Sequence, residues 1–240
     1  MSRNRSVRPV FAIVLLGALV LAGCGSSSKS TSSSTNTTAP TSTDSSLPKG
    51  CDIPPPVNVA PKPTNLSAPA MAIDPNKTYT AKMTTSCGDI TIALDAKNSP
   101  KGVNNFVSLA KQGFYDGLKF HRIITGFVIQ GGDPVGDGTG GPGYDTVTEL
   151  PKDGYPLGTL AYAKTGQAPP GSAGSQFFIV TSDHPPSLDT KQGGSYQYGA
   201  FGQVTKGKDV MQKLDALGGT DEAGTTKAPL FIVKVTITES

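Results

Sequence analysis

Apolar residues fall at every second position through "YTAKMTTSCGDITIALDA" (Tyr79 to Ala96), with the alternation broken around Ser86-Cys87-Gly88-Asp89. That period of two predicts a pair of strands joined by a turn. In "SPKGVNNFVSLAKQG" the spacing changes to three and four, with Val103, Phe106, Val107 and Ala110 forming one stripe. This predicts a helix with Ser99 as N-cap, Pro100 in its first turn and Gly113 closing it. Two apolar runs then flank Thr125-Gly126 in "FHRIITGFVIQGGDP" and predict a hairpin with strands over 120–124 and 127–131. A glycine-rich loop follows through Gly143. "GTLAYAK", "SQFFIVTS" and "YGAFGQV" read as further strands, and "APLFIVKVTITES" as the last. Between them "KGKDVMQKLDAL" reads as a second helix, with Val210, Met211 and Leu214 inward and Gly218-Gly219 ending it. Many short strands, few helices and no βαβ rhythm make the fold mainly β, an antiparallel barrel or a sandwich. Periodicity does not choose between those two.

The first 77 residues follow a different pattern. Arg3, Arg5 and Arg8 precede the apolar "VFAIVLLGALVLAG", which ends in small residues before Cys24. This is the grammar of a secretory signal over residues 1–23. "LAGC" resembles the bacterial lipobox, in which the cysteine is lipidated and becomes the new N-terminus. Residues 24–77 are first Ser/Thr-rich and then Pro-rich, too polar to bury a core and extended where proline dominates. They are expected to form a disordered tether spanning roughly 40 Å as a flexible coil. The domain is expected over 78–240. The localisation that follows is the extracytoplasmic face of the cell membrane, held by lipid on Cys24.

Loss of the leader removes three arginines, so Lys plus Arg falls from 21 to 18 against 18 Asp plus Glu. A formally neutral chain lacks the basic footprint that nucleic-acid binding requires. Cys51 and Cys87 then remain as a pair in an oxidising compartment, either bridged or as two free thiols. No C-x-x-C is present and His121 and His184 are the two histidines, so no metal site is expected. "GDGTGG" fits a dinucleotide fingerprint formally, yet "PGYD" follows where a helix must begin, so it reads as a loop. "GSAGS" lacks the spacing of a nucleophile elbow.

The hairpin carries the chemistry. Arginine occurs at positions 3, 5, 8 and 122, so Arg122 is the single arginine of the chain beyond the leader, among seventeen lysines. Alternation along the two strands places Arg122 across from Gln130, a neutral acceptor able to orient a guanidinium. An arginine that merely packs its stem and sends its head to water is the plain alternative. Its uniqueness and the aromatic neighbours Phe120 and Phe127 favour a functional role.

"FHRIITGFVIQGGDP", "GSQFFIV" and "FGQVTKGKDVM", in that order, resemble the cyclophilin family of peptidyl-prolyl cis–trans isomerases over 78–240. The resemblance implies a closed eight-stranded antiparallel β-barrel capped by two α-helices, with the active groove on its outer surface. It implies that Arg122 is the catalytic arginine, Gln130 its support and His121 a histidine bordering the site. Phe127, Val128, Phe178 and Leu188 match the pocket for the substrate proline. Ala163, Lys164 and Gln176 match the wall for the flanking peptide, and Tyr198 falls where a pocket histidine sits in many members. No tryptophan is present; Ser187 or a neighbouring proline stands at the family's drug-binding tryptophan, so weak cyclosporin binding is expected. The implied enzyme needs no cofactor. Its partners would be proline-containing unfolded or newly secreted polypeptides, handled by a monomer. A proline-binding module without turnover, or a structural lipoprotein, are the competing readings; the second leaves Arg122 unexplained.

Overall fold

A computed structural model describes residues 50–54, 59–191, 193 and 195–240. The expected leader, the lipidation at Cys24 and most of the tether lie outside the described residues. In chain order the strands are β1 (Tyr79–Thr85), β2 (Gly88–Leu94), β3 (Arg122–Ile124), β4 (Val128–Gly131), β5 (Thr146–Val147), β6 (Thr159–Tyr162), β7 (Ser172–Ala173), β8 (Phe177–Val180), β9 (Ala200–Lys206) and β10 (Ile232–Glu239). Helix α1 spans Pro100–Lys111, α2 Pro186–Asp189 and α3 Lys208–Ala216.

Eight strands form one curled antiparallel sheet in the order β10-β1-β2-β9-β6-β8-β4-β3, while β5 and β7 pair separately. The inward residues of β1 and β2 (Ala81, Met83, Ile90, Ile92) share one buried core with α1, which packs against β9 and β10 and whose Phe106 ring lies 4.9 Å from Tyr115 and 5.1 Å from Phe201. In β6 and β8 every residue is buried, because a second apolar cluster covers their outer face. That outer cluster is where the candidate site lies.

The expectation of a closed barrel needs correction. The sheet's two edge strands, β3 and β10, do not pair with each other. Residues leading into β3 reach the start of β10 instead: Gly117 N–H donates to Ile232 O at 2.7 Å and Phe120 N–H to Leu230 O at 2.9 Å. The edge of β3 itself is taken by the loop after α3. Ile123 N–H donates to Gly224 O at 2.8 Å, and Gly219 N–H donates back to Ile123 O at 3.0 Å. A loop seated on that edge satisfies the backbone groups that closure would otherwise use.

Three local differences have equally plain causes. The short α2 was not foreseen, since four residues carry no helical period. Ser99 precedes α1 but its hydroxyl does not cap it; Glu149, far along the chain, accepts from Gly102 N–H at 3.2 Å and from Ser99 Oγ at 3.3 Å. A carboxylate there complements the positive end of the helix dipole. Finally, residues 59–77, read as spacer, lie along the domain. Leu66 N–H donates to Pro142 O at 2.8 Å and Ala72 N–H to Asn104 Oδ1 at 2.8 Å. Proline keeps this segment extended without a hydrophobic period, so its attachment leaves no pattern in the sequence. Cys51 and Cys87 form a disulfide across 36 positions of chain.

Candidate active site

The register of five strands sets the site. Arg122 on β3 faces Gln130 on β4, Gln130 faces Phe178 on β8, Phe178 faces Ala161 on β6, and Ala161 faces Ala200 on β9. Cross-strand partners share a face, so this row runs over the outer surface of the sheet. The next row adds Val128 opposite Val180. Val128, Ala161, Phe178, Val180 and Leu188 are buried in one cluster with Tyr155, and Phe127, Ala163 and Tyr198 pack against it. Tyr198 sets its ring edge-on to Phe178 with centroids 5.3 Å apart. Tyr155 fixes Tyr198 by donating its hydroxyl to Tyr198 O and accepting Tyr198 N–H, both at 2.9 Å. Leu188 reaches the patch from α2.

Arg122 stands at the polar end of this apolar patch and is held on two sides. Its Nε donates to Glu222 O at 3.0 Å and its Nη1 to Gln130 Oε1 at 3.2 Å. Gln130 Nε2 donates to Gln176 Oε1 at 3.1 Å, and Gln176 Nε2 donates to Gly138 O at 2.9 Å and Gly140 O at 2.8 Å. The relay has a direction. Two backbone carbonyls oblige Gln176 to present its nitrogen to them, so its oxygen faces Gln130, whose own oxygen must then face the guanidinium. A guanidinium has five N–H groups. Two are used here, which leaves three free to meet a ligand.

His121 precedes β3 and lies beside Gly138; neither ring nitrogen has a hydrogen-bond partner. Burial lowers its pKa below the ordinary histidine value, with Arg122 adding to the fall and Asp133 and Asp137 opposing it. It is a neutral wall of the site at pH 7. Lys164 bonds Ala168 O at 2.9 Å and lies 5.7 Å from the Tyr198 ring centre, while Ala163 N–H donates to Gln176 O at 3.0 Å.

One concavity, about 1120 Å³, lies beside Arg122 and is not centred on it. It starts at Gln130 and Gln176 and extends along Gly138–Asp145, Ala163 and Lys164. Arg122, Phe127 and Phe178 instead form a separate patch next to it. A pocket for a ring beside a longer groove suits an extended peptide. Among the described residues no cluster of three or more His, Cys, Asp or Glu is placed to hold a metal.

Apart from Gln130, the groups that steady the arginine were missed from the sequence. The loop "GGTDEAG" (Gly218 to Gly224) contributes through the Glu222 carbonyl, a backbone atom that residue identity does not reveal. Asp215 accepts Gly126 N–H at 3.0 Å and so ties the hairpin turn to α3. Gly224, at φ +58°, leaves no room for a Cβ, which would lie 2.9 Å from Arg122 Cγ. The glycine pair ending the second helix was the available hint.

Residues 80–237 match the family described as "Cyclophilin type peptidyl-prolyl cis-trans isomerase/CLD". The chain is 41% identical over 142 residues to a "Peptidyl-prolyl cis-trans isomerase" of Helicobacter pylori, covering 58% of this chain and 81% of that one. It is 36% identical over 212 residues to a "Probable peptidyl-prolyl cis-trans isomerase B" of Mycobacterium tuberculosis, covering 81% of this chain and 64% of that one. A crystal structure of a cyclophilin-type isomerase from Cryptosporidium parvum superposes with a TM-score of 0.59 at 30% identity, over 68% of this chain and 99% of that one. The same protein determined in the presence of the dipeptide Ala-Pro gives a TM-score of 0.58, also at 30% identity, over 67% of this chain and 99% of that one. With the match taking in all eight strands of the sheet except the outermost residues of β1 and β10, and the row from Arg122 to Phe178, the chain belongs to the cyclophilin-type peptidyl-prolyl cis–trans isomerase family.

Proposed function

We propose that this chain accelerates rotation about Xaa–Pro bonds in secreted or envelope proteins, with Arg122 stabilising the twisted amide. Family membership makes it an enzyme of the peptidyl-prolyl cis–trans isomerase class, acting on proline-containing peptide. The observation that carries the mechanism is the doubly held guanidinium at the edge of a buried apolar patch.

The barrier to amide rotation is about 20 kcal/mol. Roughly a thousand turnovers per second means removing about 7 kcal/mol, at about 1.36 kcal/mol per tenfold. No covalent step is needed. The proline ring rests on Phe127, Val128, Phe178 and Leu188, and the flanking backbone lies along Ala163 and Gln176. As the amide twists, conjugation is lost and the ring nitrogen gains an available lone pair. A guanidinium N–H pointed at that nitrogen interacts with the twisted state more strongly than with the planar one. Glu222 O and Gln130 hold Arg122 in place beforehand, so little reorganisation accompanies the reaction. Lysine has a more mobile and more hydrated charge and lacks the planar fork that two fixed partners can orient.

The envelope setting rests on the signal-like pattern of residues 1–23, on the resemblance of Leu21–Cys24 to a lipobox and on the Cys51–Cys87 disulfide, since such bonds persist in oxidising compartments. Exchange NMR on an Ala-Pro peptide tests the catalytic role. Arg122→Ala is expected to lower the exchange rate at saturation by about 10²–10³, the cost of removing one preorganised donor, with little change in affinity. Equal losses of rate and affinity would sink this role for Arg122. Peptide binding by the wild type without faster exchange would make the domain a proline-binding module.

A further inference from the structure

Residues 59–77 lie outside the region matched to the family, yet they reach the groove beside the site. The chain is pinned on both sides of this strap's crossing of the groove. Cys51 is bonded to Cys87 and Ile53 N–H donates to Ser86 O at 3.1 Å. At the far end Asn104 of α1 accepts Ala72 N–H at 2.8 Å and gives its amide to Ala70 O at 3.0 Å. Between these pins Lys62 Nζ donates to Gly113 O at 2.7 Å and Leu66 N–H to Pro142 O at 2.8 Å. The approach at Gly143 is close: a Cβ there would lie 2.5 Å from Thr64 O and 2.6 Å from Asn65 Cα. Gly143 has φ +100° as well, so both space and backbone conformation call for glycine at this crossing.

Thr64 is thereby brought into the lining of the 1120 Å³ groove, together with Val135, Ala163, Lys164 and Gln176. The same groove wall is continuous with the relay, because Gln176 donates to Gly140 O two residues before Pro142. Its chemistry is uncharged over most of its length. Glycines at 138, 140, 141 and 143 leave it roomy, Val135 stands 59% exposed at its side, and the Lys164 ammonium is already bonded to Thr165 O and Ala168 O. Asp145 contributes the one carboxylate among the lining residues.

We propose that the strap is a specificity-determining part of the enzyme, with Thr64 forming the wall against which a large uncharged side chain flanking the Xaa–Pro bond packs. This rests on the isomerase reading above and goes beyond it, since the wall comes from outside the matched region. Such a pocket distinguishes substrates by side-chain volume and acts on KM, leaving the rotation step to Arg122.

The test uses the full chain without its leader, as wild type and as Thr64→Trp, with Ala-Pro peptides carrying Gly, Leu or Lys at each flanking position in turn. Thr64→Trp is expected to raise KM about tenfold for the Leu peptide that fits the groove, with kcat unchanged and the Gly peptides unaffected. A KM change shared by all peptides, no change for any, or a preference for Lys over Leu overturns the proposal. A second readout is the Thr64 methyl resonance, expected to shift on adding the Leu peptide and to stay still with Gly. If the wild type accelerates no exchange but this methyl shifts, the isomerase reading fails and the wall stands. If the methyl stays still with every peptide, the wall fails whatever the turnover.

Discussion

Replacing Gln130 by Glu changes one amide nitrogen to oxygen and nearly nothing in shape, which makes it a sharp probe of the relay. In the native chain Gln130 Nε2 donates to Gln176 Oε1 at 3.1 Å. After Gln130→Glu, two acceptors face each other at that distance. Gln176 cannot turn its amide to help, because its nitrogen serves Gly138 O and Gly140 O at 2.9 and 2.8 Å. The frustrated contact costs about 1–3 kcal/mol, while the bond from Arg122 becomes charge-assisted and returns roughly 1 kcal/mol. Stability should therefore fall by no more than about 2 kcal/mol. The effect on rate is larger. Before desolvation is counted, the Coulomb attraction between unit charges 4 Å apart near a protein surface is on the order of 4 kcal/mol, and the new carboxylate competes through it with the twisted amide for the guanidinium. If half of that, about 2 kcal/mol, is taken from the interaction with the twisted amide, turnover drops about thirtyfold. Exchange NMR at pH 7.5 measures it. The variant also has a signature that mere structural damage lacks. Once protonated, the introduced carboxyl regains an O–H donor for Gln176 and keeps an acceptor for Arg122; because the guanidinium lowers its pKa, activity relative to wild type should recover only as pH falls below the ordinary glutamate value of about 4.3. Wild-type turnover at pH 7.5, or a loss that ignores pH, would refute the directed relay.

Gly224→Ala should destabilise the fold by about 2–5 kcal/mol, combining left-handed strain with overpacking against Arg122 Cγ, Ile123 O and Ile124 Cγ1, each 2.9 Å from the new methyl. Urea denaturation gives the stability, and exchange NMR should show turnover falling too as Arg122 is displaced; an unchanged midpoint would mean the loop yields freely. For His121 the sign follows from burial, which lowers its folded pKa below the ordinary value of 6.5. Its contribution to stability is complete above pH 6.5 and is lost as pH falls through the folded value, with a slope of at most about 1.36 kcal/mol per pH unit. Denaturation at a series of pH values should show this loss in the wild type and its absence in His121→Asn; parallel profiles would remove His121 from the account.

What the sequence revealed, it revealed through periodicity and side-chain type. The hairpin partners Arg122 and Gln130 were legible because alternation fixes the face and the turn fixes the register. α1 and α3 were legible from their apolar stripes, with α3 ending two residues before the Gly218-Gly219 pair. Interactions made by backbone atoms or by distant partners were not. The Glu222 carbonyl has no residue signature, and Glu149 caps a helix that begins 49 positions earlier in the chain. The expected barrel remained open because the loop at 219–224 took the edge of β3, a competition no strand pattern records. The strap escaped notice because single anchors such as Leu66 and Ala72 attach an otherwise featureless extended segment.

Burial on both faces of β8 has a consequence for how the chain finds its pairing. Phe177 and Ile179 face the interior while Phe178 and Val180 face the site, and the four are about equally apolar. A slip by one residue would exchange the two sets with almost no hydrophobic penalty, so oiliness alone does not tell this strand which way round to lie. That information must come from its approach. Ser175 Oγ donates to Gly132 O at 2.7 Å, Asn105 Nδ2 donates to Gly174 O at 2.8 Å, and Gln176 is claimed by two glycine carbonyls. All three are polar anchors just ahead of the strand, and a slip breaks them together. The small polar residues beside the active face thus act as an index mark for assembly, stating the alignment that four interchangeable side chains leave unsaid.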